Sequence, residues 1–144
     1  MISRDLAAEL ARAGLQWRPA AGDRFVIPQP ELTGEVFTLS EMTIEAHEFP
    51  TGTVLGFNGT TEWALDSVAQ EDALWLPRED QLRELLGGTF VRLESVERDG
   101  ERTWVVTTAR APGAEEHFTA ATAADAYAHA ALALVRAAVG ASGD

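Results

Sequence analysis

The stretch from Thr122 to Val139 constrains the fold most. Wound as a helix at about 100° per residue, it brings Tyr127, Ala130, Ala131, Leu134 and Ala138 to one face. Leu132, Val135 and Val139 widen that face to well over half the circumference, leaving Asp125, His129 and Arg136 together on the remaining side. An ordinary surface helix buries one stripe. A helix apolar over so wide an arc is expected to be covered on two sides, by other elements of the same chain or by a partner subunit. The bland alternative is that Ala is a good helix former and tolerates solvent. Thr122 stands where a helix cap belongs, and Asp125, three residues on, occupies the position of a capping-box acid. Gly140 to Asp144 is expected to fray.

A second helix is well marked between Leu74 and Gly88. Leu74-Trp75-Leu76 is an apolar run suited to a core, and Pro77 follows at an expected first helical position. Glu79 and Asp80 put negative charge in the first turn, where the helix dipole favours it. Leu82, Leu85 and Leu86 form a stripe, and Gly87 supplies the stop. Near the N-terminus, Ser3 caps a helix running to about Ala13, with Leu6 and Leu10 on its apolar face and Gly14 as its end.

The remainder reads as strands and turns. Arg24–Ile27 and Glu35–Leu39 are short strands. Met42 to Phe49 alternates, with Met42, Ile44 and Ala46 on one face and Thr43, Glu45 and His47 on the other, as a half-buried antiparallel strand does. Pro50-Thr51-Gly52 turns the chain into Thr53–Phe57. Asn58-Gly59 is a further turn, and Thr60 or Thr61 is read as capping a short helix through Glu62, Trp63, Leu65 and Val68. Phe90–Glu97 and Arg102–Arg110 flank Asp99-Gly100, a pair suited to a tight hairpin, and Glu116–Thr119 adds one more strand. These elements imply an α+β fold in one domain over residues 1–144. An antiparallel sheet of about five to seven strands, built from hairpins, is covered on one face or end by helices, including the long Ala-rich C-terminal one.

Charge narrows the partners. The chain has 23 acids against 11 basic residues, a net charge of −12. Every basic residue is Arg. Residues 25–77 hold nine acids and no Arg, whereas residues 1–24 carry a net +1 and residues 78–144 a net −4. Phosphate-contacting nucleic-acid binding and attachment to an anionic membrane surface both depend on basic patches, so no nucleic acid and no membrane is expected. A basic partner protein fits the acidic middle, and the wide arc of the last helix fits a homodimer seam. Met1 to Asp5 does not lead into an apolar signal region, and the Ala-rich stretch is interrupted by Asp125, His129 and Arg136. A soluble cytoplasmic protein is the expectation.

Chemistry-bearing motifs are sparse. With no Cys there is no disulfide, thiolate metal site or Cys nucleophile. With no Lys there is no Walker phosphate loop, and no G-x-S-x-G elbow or S-x-x-K occurs. His47, His117 and His129 are far apart, and none has a second His at the i, i+4 spacing of a metal site. Glu45 and His47 share a strand face, which a solvated face explains without any function. Glu62 and Asp66 share a helical face in the same bland way, though paired acids also serve as general acid and base or as ligands of hard cations. Trp63, beside Glu62, has the best claim to exposure among the four Trp.

The segments Phe57-Asn58-Gly59-Thr60-Thr61-Glu62-Trp63-Ala64-Leu65-Asp66-Ser67-Val68 and Leu74–Leu82, with Thr122-Ala123-Ala124-Asp125-Ala126-Tyr127, resemble a family of small acidic actinobacterial proteins of uncharacterised activity. Some members bear the label pilus assembly protein. This chain lacks the Walker lysine of the ATPase from which that label derives, so the resemblance implies no catalytic residue, no cofactor and no metal. Glu45, His47, Glu62, Trp63 and Asp66 are the candidate interaction surface of a non-catalytic protein-interaction module. The alternative is a small enzyme or ligand-binding protein that gathers the same carboxylates and His47 in a pocket.

Overall fold

The computed structural model describes residues 1–28, 34–39, 44–49, 52–57, 67–69 and 73–142; residues 44–49, 52–57, 67–69 and 140–142 are described by their backbone alone. The class is α+β, with every strand pairing antiparallel. The strands foreseen as one sheet of about five to seven form three separate three-stranded sheets among the described residues. The chain divides into two compact units, Met1–Gln16 with Pro77–Asp144, and Trp17–Leu76.

The first unit opens with α1, Arg4–Ala13. Its cap is the expected Ser3, whose Oγ accepts from the Leu6 N–H at 3.3 Å. The helix ends at Gly14 as foreseen, with the Gly14 N–H donating to the Ala11 carbonyl at 3.1 Å. Leu6, Ala7 and Leu10 are its buried residues, the face expected from their spacing.

The second helix, α2, spans Glu79–Leu86 and begins two residues later than Pro77 suggested. Gln81 explains the offset. Its side-chain oxygen accepts from the Arg78 backbone N–H at 2.9 Å, which makes Arg78 the residue at the helix boundary and leaves Pro77 outside it. Arg78 also bonds Asp80 at 3.1 Å and, against the opposing effect of burial, holds that carboxyl below the usual carboxylate range. Leu82 and Leu86 are buried, and Leu85 is exposed. Gly87 ends the helix at φ +52° and ψ −132°, a region that side-chain-bearing residues avoid, and a turn of 3-10 helix over Gly87–Thr89 follows.

Three strands come next: β7, Phe90–Arg98; β8, Glu101–Ala109; and β9, Glu115–Ala120, hydrogen-bonded in the order β7-β8-β9. Asp99 and Gly100 both have positive φ, +52° and +82°, as the two-residue hairpin between β7 and β8 demands. The register places Leu93, Val106 and Phe118 side by side, with Val106 fully buried.

The last helix, α3, runs over Ala123–Ser142, so the helix continues through Gly140 where fraying was expected. It packs against α1, α2, β8 and β9. Most of the wide apolar arc is therefore covered on several sides by its own unit, while Ala138 and Val139 near its end remain exposed. Ala124, Ala126, Ala128, Ala130 and Ala131 are each at most 2% exposed, so Ala here is what lets neighbours approach closely rather than a filler facing water. Tyr127 stacks on Phe90 with ring centroids 5.9 Å apart, and the Arg83 guanidinium lies over the other partner of that pair, 3.6 Å from the Phe90 centroid. Among the described residues no helix is long and apolar enough to cross a membrane.

In the second unit, β1, Arg24–Val26, is the middle strand between β2, Val36–Thr38, and β6, Leu74–Leu76. Phe25, Ile27 and Leu39 are buried together, with Trp17, Phe37 and Ala73 packed around them. Trp17 contacts Phe25 at 5.5 Å and stacks on Trp75 at 6.4 Å. Asp23 is 2% exposed and accepts from Trp17 Nε1 at 2.9 Å and from the Ala20 N–H at 3.0 Å. The other sheet has β4, Gly52–Phe57, between β3, Ile44–Phe49, and β5, Ser67–Ala69. The expected hairpin across Pro50–Gly52 is present as the β3–β4 pair. The short helix read through Val68 is overturned at its end, where Val68 pairs with Leu55 as a strand residue. A β-branched residue beside an unfilled strand edge gains a ladder there that a short helix could not offer. The rest of that segment lies outside the described residues.

Candidate functional site

Of the residues singled out from sequence, Glu45 and His47 lie two apart on β3, opposite Gly56 and Val54 of β4. Glu62, Trp63 and Asp66 lie outside the described residues. The structure instead brings together residues that the sequence keeps apart, and it does so in the first unit.

β9 is the last strand of its sheet. All six of its residues pair with β8, from Ala109↔Glu115 to Trp104↔Ala120. Among the described residues no strand follows on its other side, and the backbone N–H and C=O groups of that side have no ladder partner there. Between this edge and α3 runs a groove of about 360 Å³. His117, Phe118 and Thr119 form one wall, and His129, Leu132, Ala133 and Arg136 of α3 form the other.

The α3 wall follows from helical spacing. Residues at i, i+3, i+4 and i+7 stand in one stripe, so Leu132 and Ala133 lie between two cationic or ionisable ends, His129 and Arg136. Leu132 is 4% exposed and gives the groove an apolar floor. His129 and Arg136 are exposed. Arg92, Arg102 and Arg110 each have a glutamate within 4.0 Å, whereas neither His129 nor Arg136 has a carboxylate partner among the described residues. Beyond Arg136 a second hollow of about 490 Å³ is bounded by Glu9, Arg12 and Ala13 of α1 and by Val139.

The β9 wall is held in place from within the sheet. Thr107 is fully buried and lies directly opposite His117 in register. Its Oγ1 and His117 Nδ1 share a hydrogen bond of 2.9 Å, which fixes the imidazole orientation. Glu116, one residue earlier, is held by Arg110 at 2.8 Å.

Such an arrangement suits binding: a strand edge for main-chain hydrogen bonds, an apolar floor, and positive charge on the far wall. Among the described residues no three His, Asp or Glu side chains gather as a metal site would require. His117 and His129 sit on different elements, twelve residues apart, so no spacing rule connects them. The one legible signal was the grouping of His129 with Arg136 on the polar side of the last helix.

No protein-family model, curated protein or solved structure matches the chain.

Proposed function

We propose that this chain is a non-catalytic protein-interaction module whose acidic unit meets a basic protein partner. The observation that carries the reading is the coincidence of charge with architecture. The unit Trp17–Leu76 holds ten acids against two Arg, a net −8, whereas the longer remainder of the chain carries a net −4. Charge of one sign gathered on one unit steers a partner of the opposite sign and raises its association rate. Glu35 is exposed, and Glu45 and Glu48 lie on β3 within the same unit. The family resemblance brings no activity to this reading.

The test is titration of the full chain with a Lys-rich peptide, followed by amide NMR at two salt concentrations. Shifts within residues 17–76 that weaken steeply with added salt, and that shrink in Glu35→Gln/Glu45→Gln/Glu48→Gln, support the reading. Binding indifferent to salt, or shifts scattered over the whole chain, sinks it.

A further inference from the structure

We infer that the groove between β9 and α3 takes an extended acidic segment of a partner protein, which adds as a fourth strand to the sheet β7-β8-β9. Three observations converge on this occupant. The outer edge of β9 is unpaired among the described residues, so its outward N–H and C=O groups can continue the ladder. The groove beside that edge is floored by Leu132 and Ala133, which can seat the apolar side chains that an added strand turns toward α3. Its far wall carries His129 and Arg136, which lack carboxylate partners among the described residues in a chain where acids outnumber basic residues 23 to 11.

Charge complementarity decides the sign of the occupant. His129 and Arg136 are seven residues apart, so they stand roughly 10 Å apart along the helix axis. Carboxylates four residues apart on a strand are separated by roughly 14 Å with one apolar residue between them on the same face, and a flexible Arg side chain spans the difference. Strand pairing needs no particular sequence from the ligand beyond an extended backbone and a free N–H at each pairing position. The acids choose the partner and the ladder binds it. Glu9, Glu115 and Glu116 border the neighbourhood, but Glu116 is engaged by Arg110, and Glu115 lies 3.9 Å from Arg92.

The experiment uses the full chain and a peptide of roughly eight residues, long enough to run the length of β9, in which Glu, Val and Glu stand at alternate positions with Ser between them, so that all three share the face turned to α3. Amide NMR is expected to show shifts confined to β9 and to α3 around residues 129–136. Arg136→Glu, an exposed change, is expected to weaken binding about tenfold, the order expected when a groove-edge attraction is replaced by a repulsion. The same peptide N-methylated at alternate residues on its pairing edge keeps its charge but cannot complete the ladder, and it is expected to lose binding. Undiminished binding by the N-methylated peptide overturns strand addition, and indifference to Arg136→Glu overturns the acidic occupant. Shifts in β9 that appear on raising protein concentration alone would assign the edge to a second copy of the chain. Because the Lys-rich peptide reads residues 17–76 and this one reads β9 and α3, either proposal can fall while the other stands.

Discussion

Asp125 shows how one side chain can serve two helices. In α3 it sits in the first turn, and its backbone N–H donates to Thr122 Oγ1 at 3.2 Å, as a capped N-terminus requires. The sequence suggested that its carboxylate would turn back on Thr122 to close a capping box. Instead Oδ1 accepts from the backbone N–H of Ser3 at 2.7 Å. Ser3 is the cap of α1, and the residue of α1 that could have closed its own box is Leu6, which has no acceptor. A carboxylate from 122 residues away completes it. Asp125→Ala is expected to lower stability by about 1–3 kcal/mol, the range for a hydrogen bond to a charged acceptor whose donor is then left part-buried. Urea unfolding would show it as a lower midpoint at an unchanged slope. Asp80 gives a smaller effect with a definite sign. Its hydrogen bond to Arg78 depresses the folded-state pKa, so its stabilisation is present above the unfolded value and is lost as pH falls through the folded one. Because its side chain is 71% exposed, solvent screens the pair and the effect is small. Asp80→Asn is expected to be slightly less stable than the parent at neutral pH and to converge with it as the medium becomes strongly acid, which thermal melts across that range would detect.

Among elements, α3 is the one whose environment could be argued furthest from its residues alone. An arc that wide calls for cover, and α1, α2, β8 and β9 cover all but its end, where Ala138 and Val139 are exposed. What periodicity could not supply was the identity of the cover, because packing partners are set by connections between distant segments. Ala131 is fully buried in this layer, so Ala131→Leu inserts volume where the neighbours are already close. It is expected to cost about 1–3 kcal/mol, whereas the same change at the exposed Ala138 is expected to cost little. A urea series on the two variants separates a packed layer from mere helix propensity, since propensity alone would treat both positions alike. The hairpin β7–β8 was legible for a different reason: Asp99-Gly100 encodes its own backbone conformation locally. Val68 was misread because its strand pairing depends on Leu55, and nothing local announces that partnership. The groove beside β9 was hidden for the same reason. His117 and His129 approach only because the strand edge and the helix stripe are set side by side by the fold.

At the scale of the whole molecule, the division into units bears on how the chain loses its structure. The sequence marks one boundary, near Pro77 where the Arg-free acidic stretch ends, but shows no linker at Gln16, and each unit has its own buried apolar residues. In Trp17–Leu76 these centre on Phe25, Ile27 and Leu39, with Phe25 contacting Trp17 and Phe37, each at 5.5 Å. In the other unit they centre on Leu10, Leu82, Leu86, Val106 and the alanines of α3. Contacts that form one buried cluster open together, whereas sites without shared partners respond almost independently. Phe25→Ala removes a fully buried ring, a change that typically costs about 3–5 kcal/mol. Native-state hydrogen exchange is expected to accelerate at the amides of β1, β2 and β6, while those of α1, α3 and β8 keep their protection. Leu10→Ala is expected to give the reverse pattern, loosening α1 and α3 and sparing β1. Acceleration across the entire chain by either substitution would mean that the two buried clusters unfold as one cooperative body. The acidic unit would then share its stability with the strand edge at β9, and a partner bound to either would stabilise both.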